Sequence, residues 1–134
     1  MGLAAPAAAQ TYGSVQIGPG FTPDPRARDL QAGGSINASG FGGNCVGWIA
    51  DAPDYSVFWG GGSNLFISSV SSSDTTLVVR TPAGDIICDD DSGEGLNPAI
   101  GFSNATGGRY DIWVGTLSGG LAPAQLRISE LYSY

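Results

Sequence analysis

Apolar and polar residues alternate in short runs along this chain, and no run holds a helical spacing for three turns. Tyr12–Ile17 is the first candidate strand. The following stretch, Gly18–Pro25, is interrupted by Pro19, Pro23 and Pro25 and reads as an extended surface crossing. Arg28–Ala32 and Ser35–Ala38 flank Gly33-Gly34, a two-residue hairpin signal. Further short runs cover Cys45–Ile49, Tyr55–Trp59 and Asn64–Ser71. Thr75–Arg80 and Asp85–Asp89 flank the turn Pro82-Ala83-Gly84, with proline early and glycine late in it. Ala99–Phe102, Arg109–Thr116 and Ala124–Glu130 complete the series. Many short strands at regular spacing, punctuated by Gly, Pro, Asn and Asp, predict an all-β antiparallel sandwich or barrel. There is no internal repeat and no domain linker, so residues 10–134 are expected to form one domain.

Side-chain parity assigns faces. In Arg109–Thr116, Tyr110, Ile112 and Val114 share one face, and Asp111 and Trp113 share the other. An apolar-in reading therefore points Trp113 outward. In Cys45–Ile49, a buried cysteine places Trp48 outward as well. Trp48 and Trp113 are thus candidate partner contacts, because exposed apolar features mark interaction surfaces. Coverage of both by loops or by the N-terminal crossing is the alternative.

Composition narrows the chemistry. Glycine accounts for 22 of 134 residues, well above the usual ~7%, and without a collagen-like period it reads as turns. Histidine and lysine are absent, so all five cations are arginines (Arg26, Arg28, Arg80, Arg109 and Arg127). Within this chain that excludes Ser-His-Asp and Cys-His catalysis, His-containing zinc sites, Schiff-base chemistry and a P-loop lysine. A net charge of −7 argues against nucleic acid, which requires a basic stripe. No stretch approaches the ~18 apolar residues of a membrane helix.

The opening residues, MGLAAPAAAQ, resemble the end of a secretory signal peptide, with a small-residue cleavage site at Ala7–Ala9 and a mature chain starting at Gln10. A disordered Ala-rich tail is the alternative for residues 1–9. Cys45 and Cys88 sit in strand-like settings without CxxC spacing, so metal or redox motifs are not indicated. In an exported protein, periplasmic or extracellular, an even pair is most simply a disulfide. Two buried free thiols are the other arrangement.

The densest polar feature is the run containing Asp85, Asp89, Asp90, Asp91 and Glu94, with no cation inside it. Asp74 opens the preceding strand, and a hairpin through Gly84 brings it towards the end of Cys88–Asp91. Two carboxylates about 4 Å apart repel by about 4 kcal/mol at an effective dielectric near 20. A divalent cation relieves that, and Ca²⁺ takes six to eight oxygens from carboxylates, amides, carbonyls and water. If residues 88–91 stay extended, Asp89 and Asp91 point one way and Asp90 the other; a turn at Asp90 would let all three converge. A solvated acidic loop is the competing reading. Asp91-Ser92-Gly93 matches the aspartic-protease tripeptide, but that dyad needs a second, sequestered carboxylate in front of an apolar strand. A glycosidase pair cannot be picked out by spacing. Asn37-Ala-Ser and Asn104-Ala-Thr are formal glycosylation sequons.

Three segments together resemble the bacterial pre-peptidase C-terminal domain, in its stand-alone exported form. They are Asp74-Thr-Thr-Leu-Val-Val-Arg-Thr-Pro-Ala-Gly-Asp, Cys88-Asp-Asp-Asp-Ser-Gly-Glu-Gly-Leu-Asn-Pro and Gly108-Arg-Tyr-Asp-Ile-Trp-Val-Gly. The resemblance spans about Leu30–Ile128. It implies a jelly-roll-like β-sandwich, often calcium-stabilised, that accompanies secreted hydrolases or binds polymers and surfaces. Asp74 matches the strand-opening aspartate, Asp90 and Asp91 match the acidic loop, and Glu94 and Asn97 match more loosely. With Asp89 these form the expected Ca²⁺ ligand set. The chain has no catalytic domain of its own, which separates it from the peptidase-linked versions. The leading expectation is a non-catalytic calcium-binding module that contacts an unidentified protein, an extracellular polymer or a second copy of itself. The alternatives are a carbohydrate-binding module stacking sugars on Trp48, Trp59 or Trp113, and a secreted hydrolase.

Overall fold

The computed structural model describes residues 10–134. The signal-like segment 1–9 lies outside the described residues. The strands are β1 (Ser14–Ile17), β2 (Arg26–Ala32), β3 (Ile36–Asn37), β4 (Trp48–Ile49), β5 (Tyr55–Trp59) and β6 (Leu65–Val70). They continue with β7 (Thr75–Arg80), β8 (Ile86–Asp89), β9 (Ala99–Phe102), β10 (Gly108–Thr116) and β11 (Ala122–Ser129). A single 3-10 turn, Ala38–Phe41, joins β3 to β4. The strands form a single-domain β-sandwich.

The larger sheet is organised on β10, whose nine residues make it the longest strand described. Asp111 faces Ser56 of β5 on one edge and Arg80 of β7 on the other; Thr116 likewise faces Trp48 of β4 and Thr75 of β7. One edge of β10 is therefore lined by β5 and then β4, the other by β7. Beyond these lie β1 on β5, β3 on β4 and β8 on β7. The smaller sheet runs β2-β11-β6-β9. Every pairing is antiparallel except β1 with β5, which is parallel. The chain leaves the larger sheet after β1, forms β2 in the smaller one, returns to the larger sheet as β3 and β4, and only then lays β5 beside β1.

The hairpin expected at Gly33-Gly34 does not form, since β2 and β3 belong to different sheets. The dipeptide instead threads through a tight gap. Gly33 has φ +108, a Cβ there would strike the Gly120 carbonyl oxygen, and one on Gly34 would strike the Ile49 carbonyl. Close passage of backbone explains these glycines better than turn type.

Strand parity places the core between the sheets. Val57, Trp59, Leu77, Val79, Tyr110, Ile112 and Val114 from the larger sheet meet Leu30, Leu65, Ile67, Leu126 and Ile128 from the smaller one. Phe21 of the proline-rich crossing tucks its ring edge-on against Trp59, 6.1 Å between centroids. A second, smaller cluster lies on the outer face of the larger sheet: Ala38, Cys45, Ile49, Val78, Cys88 and Trp113. The segment from β3 to β4 folds over that face, and a Cys45–Cys88 disulfide, Cα atoms 5.1 Å apart, fastens it to β8. The expected bridge is present.

Candidate functional site

The acidic segment grows out of β8. Leu77 faces Asp89 and Val78 faces Cys88, so β7 runs alongside it and brings Asp74 within electrostatic reach of Asp90. The strand ends at Asp89 and the chain bends at Asp90. That bend removes the alternation of an extended strand. One oxygen each from Asp89, Asp90 and Asp91 then lie within 4.8 Å of one another.

The three carboxylates are not equivalent. Asp89 organises the loop: its Oδ2 accepts from the Ser92 N–H at 2.9 Å and the Ala99 N–H at 2.8 Å, while Oδ1 accepts from the Ser92 hydroxyl at 2.6 Å. Asp90 and Asp91 carry the uncompensated charge. The Asp90 carboxyl is pushed above the usual carboxylate range, first by its modest burial and then by Asp91, Asp89 and Asp74. For a hard cation the donor chemistry fits. Asp89, Asp90 and Asp91 are the carboxylates gathered closely enough to hold one, with Asp89 also shaping the loop; Asp74 stands outside that group but acts electrostatically on Asp90.

The remaining members of the expected ligand set do other work. The Asn97 side chain accepts from the Ser71 N–H at 3.4 Å and donates to the Tyr134 carbonyl at 3.3 Å, tying the loop to the C-terminal segment. Glu94 uses its backbone N–H on the same Tyr134 carbonyl, and its side chain is exposed outside the triplet. Asp85 sits at the far end of β8, where its N–H donates to Thr81 Oγ1 at 3.2 Å. It is separated from the triplet by the length of the strand.

The tryptophans divide differently from the expectation. Trp113 does lie on the outer face of β10, opposite in parity to Tyr110, Ile112 and Val114, yet it is only 3% exposed. The disulfide-fastened segment covers it, with Phe41 tilted over its ring at 5.6 Å and Arg80 stacked at 5.1 Å. Its Nε1–H donates to the Asp51 carbonyl at 3.3 Å. Trp113 is therefore not a partner contact, because a distant segment of chain covers the face that parity turned outward. Trp59 is buried in the main core and donates to the Gly62 carbonyl at 3.0 Å. Only Trp48 remains half-exposed, so the three indoles cannot form a sugar-stacking platform.

Two buried carboxylates escaped the sequence reading. Asp111 accepts from Ser56 Oγ at 2.6 Å, Arg109 Nε at 2.7 Å, and Arg80 Nε and an Arg80 terminal nitrogen at 3.2 and 2.7 Å. Burial alone would raise its carboxyl, but the Ser56 hydroxyl and the two guanidiniums outweigh it and hold the group below the usual range. Asp54 precedes β5 and is 2% exposed. Its Oδ2 accepts the Val114 N–H at 2.7 Å, filling the break between β5 and β4 along that edge of β10. Burial pushes its carboxyl up to about 6, partly offset by that hydrogen bond. Arg109 beside Asp111 was a visible signal for the first; nothing local marked the second.

No family model and no curated protein matches the sequence. Among solved structures the chain is similar to the pre-peptidase C-terminal domain of a collagenase from Bacillus anthracis. Identity is 15%, the TM-score is 0.54, and the match covers 87% of this chain and 94% of that one. It is also similar to a periplasmic inhibitor of g-type lysozyme from Aeromonas hydrophila, at 17% identity and TM-score 0.48, over 87% of this chain and 96% of that one. The first likeness establishes a shared fold: the chain has the sandwich of a pre-peptidase C-terminal domain.

Proposed function

We propose that this chain is a non-catalytic, exported binding module whose acidic loop takes Ca²⁺ as a structural ion. The observation that carries the calcium reading is the bend at Asp90, which gathers three consecutive carboxylates beside Asp74 with no cationic side chain among them. Asp89, Asp90 and Asp91 would supply ligands, with Asp74 adding negative charge nearby, and water or backbone carbonyls would complete the six to eight oxygens that Ca²⁺ takes. Mg²⁺ suits the loop less well, since it demands tight octahedral geometry and sheds water reluctantly. Export is supported by the disulfide, which persists in oxidising compartments. The non-catalytic reading is supported by the engagement of the buried carboxylates: Asp111 is clamped by arginines and Asp54 by a strand amide.

The test is calorimetry in excess chelator and again in millimolar calcium. At a hundred times its dissociation constant the ion would add about 2.7 kcal/mol to the native state. For a domain of this size that raises the melting temperature by on the order of 10 °C. Coincident melting curves, with no calcium uptake on titration, would overturn the proposal.

A further inference from the structure

Trp48, Leu117 and Leu121 are 36, 39 and 69% exposed, and they come together at one end of the sandwich. Trp48 faces Thr116 across the sheet, and its indole lies against the β10–β11 turn, where a Cβ on Gly119 would stand 3.6 Å from Cδ1. Leu117 and Leu121 flank that turn. No charged residue occurs from Gly34 to Ala50 or from Ile112 to Leu126. On the side of Asp74 this uncharged surface has an acidic border. The Leu117 N–H donates to the Asp74 carbonyl at 3.0 Å, and Asp74 in turn bears on Asp90.

We infer that this end of the sandwich docks a cationic protein, one presenting an apolar side chain ringed by lysine or arginine. The inference rests on the binding-module reading and names its surface and the chemistry of its partner. An aromatic anchor with an apolar surround and a charged rim is the anatomy of a protein interface, where truncating one aromatic costs most of the affinity. The surface is also pre-organised. Trp48 is held between β3 and β10, and the disulfide closes the segment that carries it, so little ordering entropy is lost on binding. A glycan is less well served: beside the indole, Asn37 already spends its Oδ1 on the Ser39 N–H, and Leu117 and Leu121 offer no polar group. A second copy would bring two acidic borders together, whereas a cationic rim complements them and speeds encounter.

The test uses the full chain and two synthetic peptides of equal positive charge, one of leucine and lysine and one of serine and lysine. Binding is titrated at low and high salt. Trp48→Ser should lower affinity for the leucine peptide by at least about tenfold, and the variant should still melt cooperatively because Trp48 belongs to neither apolar cluster. Asp74→Asn should lower it less and flatten its salt dependence. The serine peptide should bind weakly, and Trp48→Ser should leave that binding unchanged. If Trp48→Ser binds the leucine peptide as the parent does, charge alone carries the affinity; this surface is then wrong while the binding-module reading stands. If the parent sediments as a dimer and Trp48→Ser as a monomer, the surface belongs to a second copy and the proposal fails. If neither peptide binds, both the surface and its cationic partner are overturned, whatever calorimetry shows for calcium.

Discussion

Asp111 and Asp54 are buried on neighbouring parts of the same strand's surroundings, yet their carboxyls are driven in opposite directions. Asp111 has two guanidiniums and a hydroxyl on its oxygens; Asp54 has one backbone amide. Burial penalises both charges alike, so the partners decide the sign. The exposed acidic loop makes a third case, with carboxylates crowded together and no arginine among them. A carboxylate compensated from within holds the sheet together. One left uncompensated either takes a proton at higher pH than usual, as Asp54 does at about 6, or calls for an ion, as the loop would.

The largest effect should come from breaking the compensated site. Asp111→Ala strands Ser56 and both arginines, and should cost about 3 kcal/mol, the low end for uncovering a buried pair. The low end applies because the Arg80 and Arg109 side chains keep 42 and 30% of their surface in water. Chemical denaturation would measure it, and a loss under half a kilocalorie would show that the cluster is decorative. Because the folded carboxyl lies below its unfolded value, its stabilisation is present above the unfolded pKa and is lost as pH falls through the folded one.

Asp54 should behave with the opposite sign. Its folded carboxyl stands at about 6 against an ordinary 3.8. Between those values the native state binds more protons than the unfolded chain, so stability falls as pH rises from about 4 to about 6. Asp54→Asn has no ionisation there and should flatten that part of the pH–stability curve. A variant curve parallel to the parent's would show that another group titrates in this window.

The smallest effect belongs to the loop. Asp90→Asn removes one of several repelling charges, so the calcium-free protein should change by no more than about 0.5 kcal/mol, the usual range for surface substitutions, and in the stabilising direction. The calcium response in calorimetry should shrink at the same time. A marked destabilisation without calcium would mean that Asp90, like Asp89, is holding the loop.

Local pattern alone determined a good deal here. Alternation along Arg109–Thr116 settled that Tyr110, Ile112 and Val114 face the core, because side chains on a strand alternate whatever packs against them. An even cysteine pair in strand-like settings was enough to expect the bridge, and three adjacent aspartates could not be mistaken for core. Tertiary structure decided what parity cannot contain. Whether the outer face of β10 meets water depended on a segment more than sixty positions away folding over Trp113, and alternation says which face a residue is on, not what covers it. The same holds for Gly33-Gly34, whose local sequence suits a hairpin and whose actual constraint is the backbone of Gly120 and Ile49 pressing from both sides. Asp54 is the extreme case: its carboxylate is buried because β5 gives way to β4 opposite Val114, a break that exists only once those strands are laid against β10. Periodicity is a property of neighbours along the chain, while burial, charge compensation and coverage are set by neighbours in space.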